Sequence, residues 1–184
     1  MLLYTIPIPE AMDFNTAASF AVAYSTSHMA LAHRAKIKSG ETLLVFGSSG
    51  GVGLSALELG KSMGAKVIAC ASTAEKLHLC AEHGADHLIN YSQEDIRDRV
   101  KNITGGRGAD VIIDPVGGKT FDAAMRAINW EGRLVVIGFA SGEPSQAPTN
   151  LIMVKNISIM GFYWGSYCTK SPAEVEKSMS QLLS

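Results

Sequence analysis

The feature that most constrains the fold of this chain is a short glycine-rich turn between an apolar run and a helical pattern. The apolar run covers residues 42–46, and a stretch with helical apolar periodicity covers residues 52–63. Between them, Gly47, Gly50 and Gly53 fit the spacing G-x-x-G-x-x-G. A strand, a small-residue turn and a helix in this order can receive a dinucleotide pyrophosphate, because the backbone approaches the phosphates and the helix N-terminus attracts negative charge. The turn therefore predicts a nucleotide-binding α/β unit.

Short apolar runs alternate with helical patterns along the rest of the chain. The runs are continuously apolar, as expected for strands of a parallel sheet with helices on both faces. We predict an α/β Rossmann fold, doubly wound, with six parallel strands in the order 3-2-1-4-5-6 and helices on both faces. The predicted strands cover residues 42–46, 66–71, 87–90, 111–114, 133–138 and 157–162. The predicted helices between them cover residues 52–63, 73–82, 93–103 and 120–128.

The chain divides into two predicted parts. Residues 1–38 are predicted to form an N-terminal helical segment, with Asp13 or Asn15 as the cap of its first helix. Residues 39–184 are predicted to form the NADP-binding Rossmann domain. Residues 141–148, which are rich in Ser, Gly and Pro, are predicted to form a long loop after the fifth strand.

The composition and the net charge of the chain argue against several classes of function. The 184 residues have a net charge of −1, so neither a nucleic acid nor an anionic membrane is an expected partner. No apolar run reaches the roughly 18 residues of a membrane helix, and the first residues lack the pattern of a signal peptide. Three cysteines without CxxC spacing indicate a reducing, cytoplasmic location. Five histidines without an HExxH pair predict no metal site.

The end of the second strand indicates which cofactor binds. A site for NAD places Asp or Glu there, for the ribose 2′-hydroxyl. Residues 69–76 have no acid at the predicted strand tip; Ser72 supplies a small donor and Lys76 a positive charge, which suit a 2′-phosphate. The alternative is that Lys76 is an ordinary solvated lysine of the following helix. Together with the missing acid, it favours NADP.

The remaining predicted contacts lie on the turns that follow the strands. Ser48 and Ser49 are predicted to donate hydrogen bonds to phosphate. Ligands of such folds bind beyond the carboxyl ends of the strands, so the ends of the fourth and fifth strands are predicted to face the nicotinamide. These positions are Val116, Gly138, Phe139 and Ala140. The alternative is that they are ordinary turns, and a turn role is also predicted for Asp114.

A series of motifs in one order resembles the zinc-independent quinone oxidoreductases, the zeta-crystallin-like branch of the medium-chain dehydrogenase/reductase superfamily. The resemblance covers essentially the whole chain. The motifs are DFNTAA at residues 13–18, GETLLV at 40–45, GGVG at 50–53, GAD at 84–86, NY at 90–91, IDPVGG at 113–118, GRLVVIG at 132–138 and KNI at 155–157.

This resemblance implies that the chain binds NADPH and takes part in zinc-independent hydride transfer to a quinone or an activated alkene. It implies that Lys76 and Tyr91 hold the 2′-phosphate and that Thr26 lies near the nicotinamide amide. The backbone at Gly50, Gly51 and Val52 would meet the pyrophosphate. Members of the family begin with a GroES-like catalytic domain, so we expect this chain to be the cofactor domain without it. No catalytic residue is identified in the chain.

The resemblance also implies a homodimer through an edge strand, at residues 156–162. Tyr163, Trp164 and Tyr167 would suit its interface, or they cover the end of the core instead. Two other functions remain open. One is a non-catalytic NADPH-binding module, like relatives recruited as lens crystallins or mRNA binders. The other is an enoyl reductase-type domain.

Overall fold

A computed structural model describes residues 6–183 of the chain. Six strands form one sheet, and every strand pair in it is parallel. The strand order is β3-β2-β1-β4-β5-β6, as predicted. The strands are β1 (Thr42–Phe46), β2 (Lys66–Ala71), β3 (His87–Asn90), β4 (Ala109–Asp114), β5 (Ile128–Val136) and β6 (Ser158–Gly161).

Eight α-helices and one π-helix are found among these residues. A long helix precedes β1 and continues directly into the π-helix Met29–Ala35, and two helices follow β6. The α-helices are α1 (Phe14–His28), α2 (Gly51–Ser62), α3 (Ala74–Glu82), α4 (Ile96–Ile103), α5 (Lys119–Ala127), α6 (Thr149–Lys155), α7 (Trp164–Lys170) and α8 (Pro172–Leu182).

Strand β1 shows why helices cover both faces of the sheet. All five of its residues are buried, and successive side chains of a strand point to opposite faces. Leu43 and Val45 belong to one core cluster, whereas Leu44 and Phe46 belong to a second. The first cluster is completed by residues of α1, the π-helix, α2 and α8, and the second by residues of α4 and α5. The doubly wound Rossmann fold is therefore confirmed.

The N-terminal helical segment is part of this packing. Asp13 caps α1 and accepts hydrogen bonds from the N–H groups of Asn15 and Thr16, so of the two predicted caps Asp13 is the one used. At the other end, the π-helix buries Met29 and Leu31 in the first core cluster, beside Leu43 of β1. α1 and the π-helix follow one another without a break, so the predicted helical segment is continuous over residues 14–35.

Two regions differ from the prediction. β5 begins at Ile128 instead of residue 133, and its pairing with β4 shifts between Ala109, which pairs with Ile128, and Val111, which pairs with Arg133. Within the shift Glu131 adopts a positive φ of 56°. Helices α6 and α7 were not predicted, because neither buries a residue to give an apolar period.

No helix among residues 6–183 is long and apolar enough to cross a membrane.

Candidate functional site

A cavity of about 350 Å³ lies at the carboxyl ends of β1, β2 and β4. Its wall combines the glycine turn, the tip of β2, the residue after β3 and the turn that follows β4. Nine of the predicted cofactor residues line it: Ser49, Gly50, Gly51, Val52, Ser72, Lys76, Tyr91, Val116 and Ala140. The fold therefore brings together side chains that are as far as 91 residues apart in the sequence, Ser49 to Ala140.

The glycine turn is tight because backbone lies against backbone. The N–H of Gly50 donates to the carbonyl oxygen of Gly47 at 3.0 Å, and α2 begins one residue later. A Cβ built on Gly53 would stand 2.1 Å from that carbonyl oxygen. The first N–H groups of a helix have no intrahelical acceptor, so Gly51 and Val52 present theirs at the cavity. Such a turn can hold a phosphate by backbone donors alone.

Ser48 corrects one prediction. Its side chain is fully buried and points away from the cavity. The hydroxyl donates to the carbonyl oxygen of Cys70 at 3.0 Å and lies 3.2 Å from Sγ of Cys80, and the backbone N–H also donates to Cys70. The predicted hydrogen bond from Ser48 to phosphate is therefore wrong, because both of its donors already join the turn to the end of β2. Ser49, one residue on, does line the cavity.

The tips of β2 and β3 form the cationic end of the cavity. Lys76 is exposed in the first turn of α3, where its N–H bonds to the hydroxyl of the cap residue Thr73 at 3.3 Å. Tyr91 follows β3, and its N–H donates to the carbonyl oxygen of Ala71 at 3.2 Å. No carboxylate is among the residues of the described chain that line this cavity. The positive charge of Lys76 is therefore not neutralised by an acidic residue of the described cavity wall.

Asp114 shapes the opposite wall. One oxygen of its fully buried carboxyl group accepts hydrogen bonds from the N–H groups of Val116 and Gly117, at 2.9 and 3.0 Å. The predicted turn role of Asp114 is confirmed. The second oxygen is buried without a partner in the described part of the chain, and burial raises the pKa of this carboxyl group. The N–H of Ala140 donates to the carbonyl oxygen of Pro115, which joins the turn after β4 to the turn after β5.

Three predicted residues lie elsewhere. Gly138 and Phe139 line a second cavity, of about 650 Å³, at the carboxyl ends of β5 and β6. Consecutive residues line the two cavities, Ala140 the first and Phe139 the second. Thr26 is buried in α1 and lines neither cavity.

A buried serine cluster behind the glycine turn was not anticipated from the sequence. Ser27 of α1 donates to the carbonyl oxygen of Val52 at 2.8 Å, and its hydroxyl oxygen lies 2.8 Å from that of Ser55. The hydroxyl of Ser55 also reaches the carbonyl oxygens of Ala23 and Gly51. The cluster fixes the first turn of α2 against α1. Three small polar residues in a row, at 25–27, were its only signal in the sequence.

The aromatic residues after β6 face inward more than outward. The indole N–H of Trp164 donates to the hydroxyl of Ser25 at 2.8 Å, and the ring of Tyr167 contacts those of His33 and Phe162. Tyr163 is 75% exposed. Of the three aromatic residues predicted for an interface, Tyr163 is exposed, whereas Trp164 and Tyr167 are partly buried.

No group of three or more His, Cys, Asp or Glu side chains among residues 6–183 could hold a metal ion.

Comparison with curated proteins identifies clear relatives. Quinone oxidoreductase-like protein 2 of Mus musculus is 44% identical over 94% of this chain and 50% of its own length. Quinone oxidoreductase of Homo sapiens is 32% identical over 84% of this chain and 46% of its own length. The chain spans about half the length of the curated relatives it matches.

Solved structures share the fold. Quinone oxidoreductase from Thermus thermophilus, studied alone and in complex with NADPH, has a TM-score of 0.84 and 31% identity over 97% of this chain and 56% of that chain. A quinone oxidoreductase from Pseudomonas syringae has a TM-score of 0.91 and 27% identity over 98% of this chain and 56% of that chain.

A family comparison covers the larger part of the sequence. Residues 51–184, from the first turn of α2 onward, match the family described as zinc-binding dehydrogenase. The chain therefore belongs to this family, among the quinone oxidoreductase-like members of the medium-chain dehydrogenase/reductase superfamily.

Proposed function

We propose that this chain is the NADPH-binding domain of an oxidoreductase that reduces a quinone or an activated alkene without zinc. The observation that carries the proposal is the cavity at the glycine turn. Lys76 and Tyr91 stand at its ribose end, and its lining among the described residues includes no carboxylate. A bound 2′-phosphate would meet a positive charge and a phenol there, whereas an NAD site would offer an acid to the 2′-hydroxyl.

The donors of the cavity suit the cofactor. Gly53 leaves no space for a Cβ, so the turn stays close to the helix and the pyrophosphate would meet backbone N–H groups. Ser49 and the N–H groups of Gly51 and Val52 would bind it. Ser72, Lys76 and Tyr91 would hold the 2′-phosphate. Val116 and Ala140 would border the nicotinamide half, and Gly138 and Phe139 the space beyond it.

The reaction is proposed from the names of the relatives, together with this geometry. NADPH would supply a hydride and water the proton that completes the reduction, so direct transfer to a quinone needs no acid or base from this chain. Phe139 is 49% exposed at the edge of the second cavity, where it would shield one side of the nicotinamide ring from water. Because the chain spans half of its relatives, we propose that a GroES-like domain supplies the rest of the substrate pocket.

Titration with NADPH and NADH, followed by nicotinamide fluorescence, tests the cofactor. We expect tighter binding of NADPH, and we expect Lys76→Ala to weaken NADPH about tenfold while leaving NADH unchanged, because one charged contact to the phosphate is lost. Lys66→Ala is the matched control, since Lys66 is an exposed lysine at the opposite end of β2. Equal weakening of both cofactors by Lys76→Ala would refute the 2′-phosphate role.

Turnover separates an enzyme from a binding module. We expect the protein that includes the GroES-like domain to oxidise NADPH when 1,4-naphthoquinone or 2-cyclohexenone is added. NADPH binding without turnover of either compound would favour the non-catalytic module.

We also propose that the protein is a cytoplasmic homodimer joined through β6. This strand lies at the edge of the sheet and pairs on one side with β5. An open strand edge offers unpaired N–H and C=O groups to a second copy.

A further inference from the structure

The second cavity holds a charged group that the proposed hydride transfer does not use. Arg34, at the end of the π-helix, lines it together with residues that follow β5 and β6. One guanidinium nitrogen, Nη2, donates to the carbonyl oxygen of Gly161 at 3.3 Å. Nε is buried and has no hydrogen-bond partner among residues 6–183. A buried donor without an acceptor is costly, so its retention calls for an explanation.

No anion within the described chain neutralises this arginine. Arg34 takes part in none of the ion pairs found among residues 6–183, whereas Arg99 and Arg133 each pair with a glutamate. No carboxylate is found among the described residues that line the cavity. Its polar side chains other than Arg34 are hydroxyls, and that of Ser166 already donates to the carbonyl oxygen of Tyr163. Arg34 is thus the one cation in the described lining of the cavity.

The other walls are aromatic and apolar. Phe139, Phe162, Tyr163 and Tyr167 contribute four rings, and Val136 and Ile137 add aliphatic surface. A volume of about 650 Å³ lies within the range of small-molecule sites, which combine an apolar wall with a few polar groups. Rings stack on planar ligands, and the guanidinium fork matches the geometry of a carboxylate.

We propose that the second cavity binds a planar small molecule that carries a carboxylate, with Arg34 as the residue that recognises the anion. The proposal rests on the proposed function in one respect: Phe139 of this cavity is next in the chain to Ala140, which would border the nicotinamide, so the occupant of the cavity would be the substrate. It extends that function by naming the substrate class, an unsaturated or quinoid compound with an acidic group. Arg34 would then determine specificity, and it takes no part in the hydride transfer.

Calorimetric titration with two probes of equal shape tests this. 2-Naphthoate carries the carboxylate, and 2-naphthamide is its uncharged counterpart. We expect the wild-type chain to bind naphthoate at least tenfold more tightly. Arg34→Gln should reduce that preference to less than about twofold, and Arg34→Lys should keep part of it. Phe139→Ala should weaken both probes alike, because it removes stacking surface and no charge.

Arg107→Gln is the matched control, since Arg107 is exposed at the amino-terminal end of β4, the opposite edge of the sheet. It should keep the preference for naphthoate. Thermal unfolding of each variant shows whether it is folded. Equal binding of the two probes to the wild type, no binding of either, or an unchanged preference in folded Arg34→Gln would each overturn the proposal.

The same samples separate this proposal from the cofactor proposal. NADPH binding without a preference for naphthoate would overturn only the carboxylate site. A preference for naphthoate that depends on Arg34, without NADPH binding, would overturn only the cofactor assignment.

Discussion

At the scale of single residues, the glycine turn of the site depends on backbone atoms that pack too closely for a side chain at Gly53. Gly53 packs so closely that a methyl group there would meet the carbonyl oxygen of Gly47 at 2.1 Å and the Cα of Ser48 at 2.7 Å. Both obstacles are backbone, so no side chain can move aside. Gly51, two residues earlier, would meet only the Cβ of Ala23, at 3.9 Å. The two glycines therefore have very different tolerances.

We predict that Gly53→Ala lowers the free energy of unfolding by about 3 kcal/mol and abolishes NADPH binding, because the turn must move away from α2. For Gly51→Ala, in the same helix, the free energy of unfolding should lie within about 0.5 kcal/mol of that of the wild type. Chemical denaturation and NADPH titration measure both effects. Similar losses in the two variants would contradict the close contact at Gly53.

The buried carboxyl group of Asp114 predicts how the stability of the fold depends on pH. Burial raises the pKa of its carboxyl group above the ordinary value near 3.8, so the folded state binds this proton more tightly than the unfolded state does. The ionised group therefore reduces stability above its folded pKa, and this cost disappears as the pH falls through that value. Asp114→Asn removes the charge and can keep the acceptor for Val116 and Gly117.

We expect Asp114→Asn to be more stable than the wild type at pH 7, with the difference shrinking as the pH is lowered to about 4. Thermal unfolding across this range measures the difference between the two proteins. A difference that does not change with pH would argue against a raised pKa. Asp114→Ala should be destabilised at every pH, because the two turn N–H groups lose their acceptor.

At the scale of elements, α1 supports the cofactor site by hydrogen bonds to the first turn of α2, although no residue of α1 lines the cavity. Ser27 bonds to the carbonyl oxygen of Val52, in the first turn of α2, although it lines no part of the cavity. We predict that Ser27→Ala costs about 1–2 kcal/mol of stability, because buried polar atoms lose a partner, and weakens NADPH binding several-fold. Ser19→Ala is the control on the same helix, since Ser19 is exposed and bonds only to its own helix. Equal effects of the two changes would refute the role of the cluster.

Strands β1 and β2 could be predicted because burial leaves a mark in the sequence: both are apolar runs that are buried almost throughout. β3 also has the predicted boundaries, although it lies at the edge of the sheet and only Ile89 of its four residues is buried. α6 and α7 have seven residues each and none that is fully buried, so their sequences carry little periodic signal. The irregular start of β5 escaped prediction because its shift in register depends on the neighbouring strand.

The candidate site could likewise be predicted only where the position of a residue follows from the topology of the fold. Ser49, Lys76 and Tyr91 follow strand ends, and the topology of the fold alone brings such positions to one edge of the sheet. The direction of the Ser48 hydroxyl depends instead on Cys70 and Cys80, which are 22 and 32 residues away. The unpaired Nε of Arg34 likewise reflects its tertiary surroundings. Neither could be read from the local sequence.

At the scale of the whole molecule, the open edge of β6 gives a prediction about assembly. The N–H of Phe162 donates to the carbonyl oxygen of Val136 in β5, so the N–H of Gly161, one residue earlier, points away from the sheet. A side chain at Gly161 would meet no atom within 4 Å. Gly161→Pro removes the outward N–H, whereas Gly161→Ala keeps it.

In sedimentation velocity we expect the wild type and Gly161→Ala to be dimers and Gly161→Pro to be largely monomeric, because proline removes a donor from the pairing edge. A monomeric wild type, or a dimeric Gly161→Pro, would show that β6 is not the interface.

The π-helix has a consequence for how this protein can change. Each i→i+5 turn holds one residue more than an α-helical turn, so deleting one residue from Met29–Ala35 would restore an ordinary α-helix. An α-helix turns by about 100° per residue, so the wide turn absorbs one residue without that rotation of the residues beyond it. With α1 fixed by its serine cluster, the chain that leads into β1 would therefore keep its direction after the deletion. A change of one residue in length should thus be tolerated in this segment more readily than in the α-helix that precedes it.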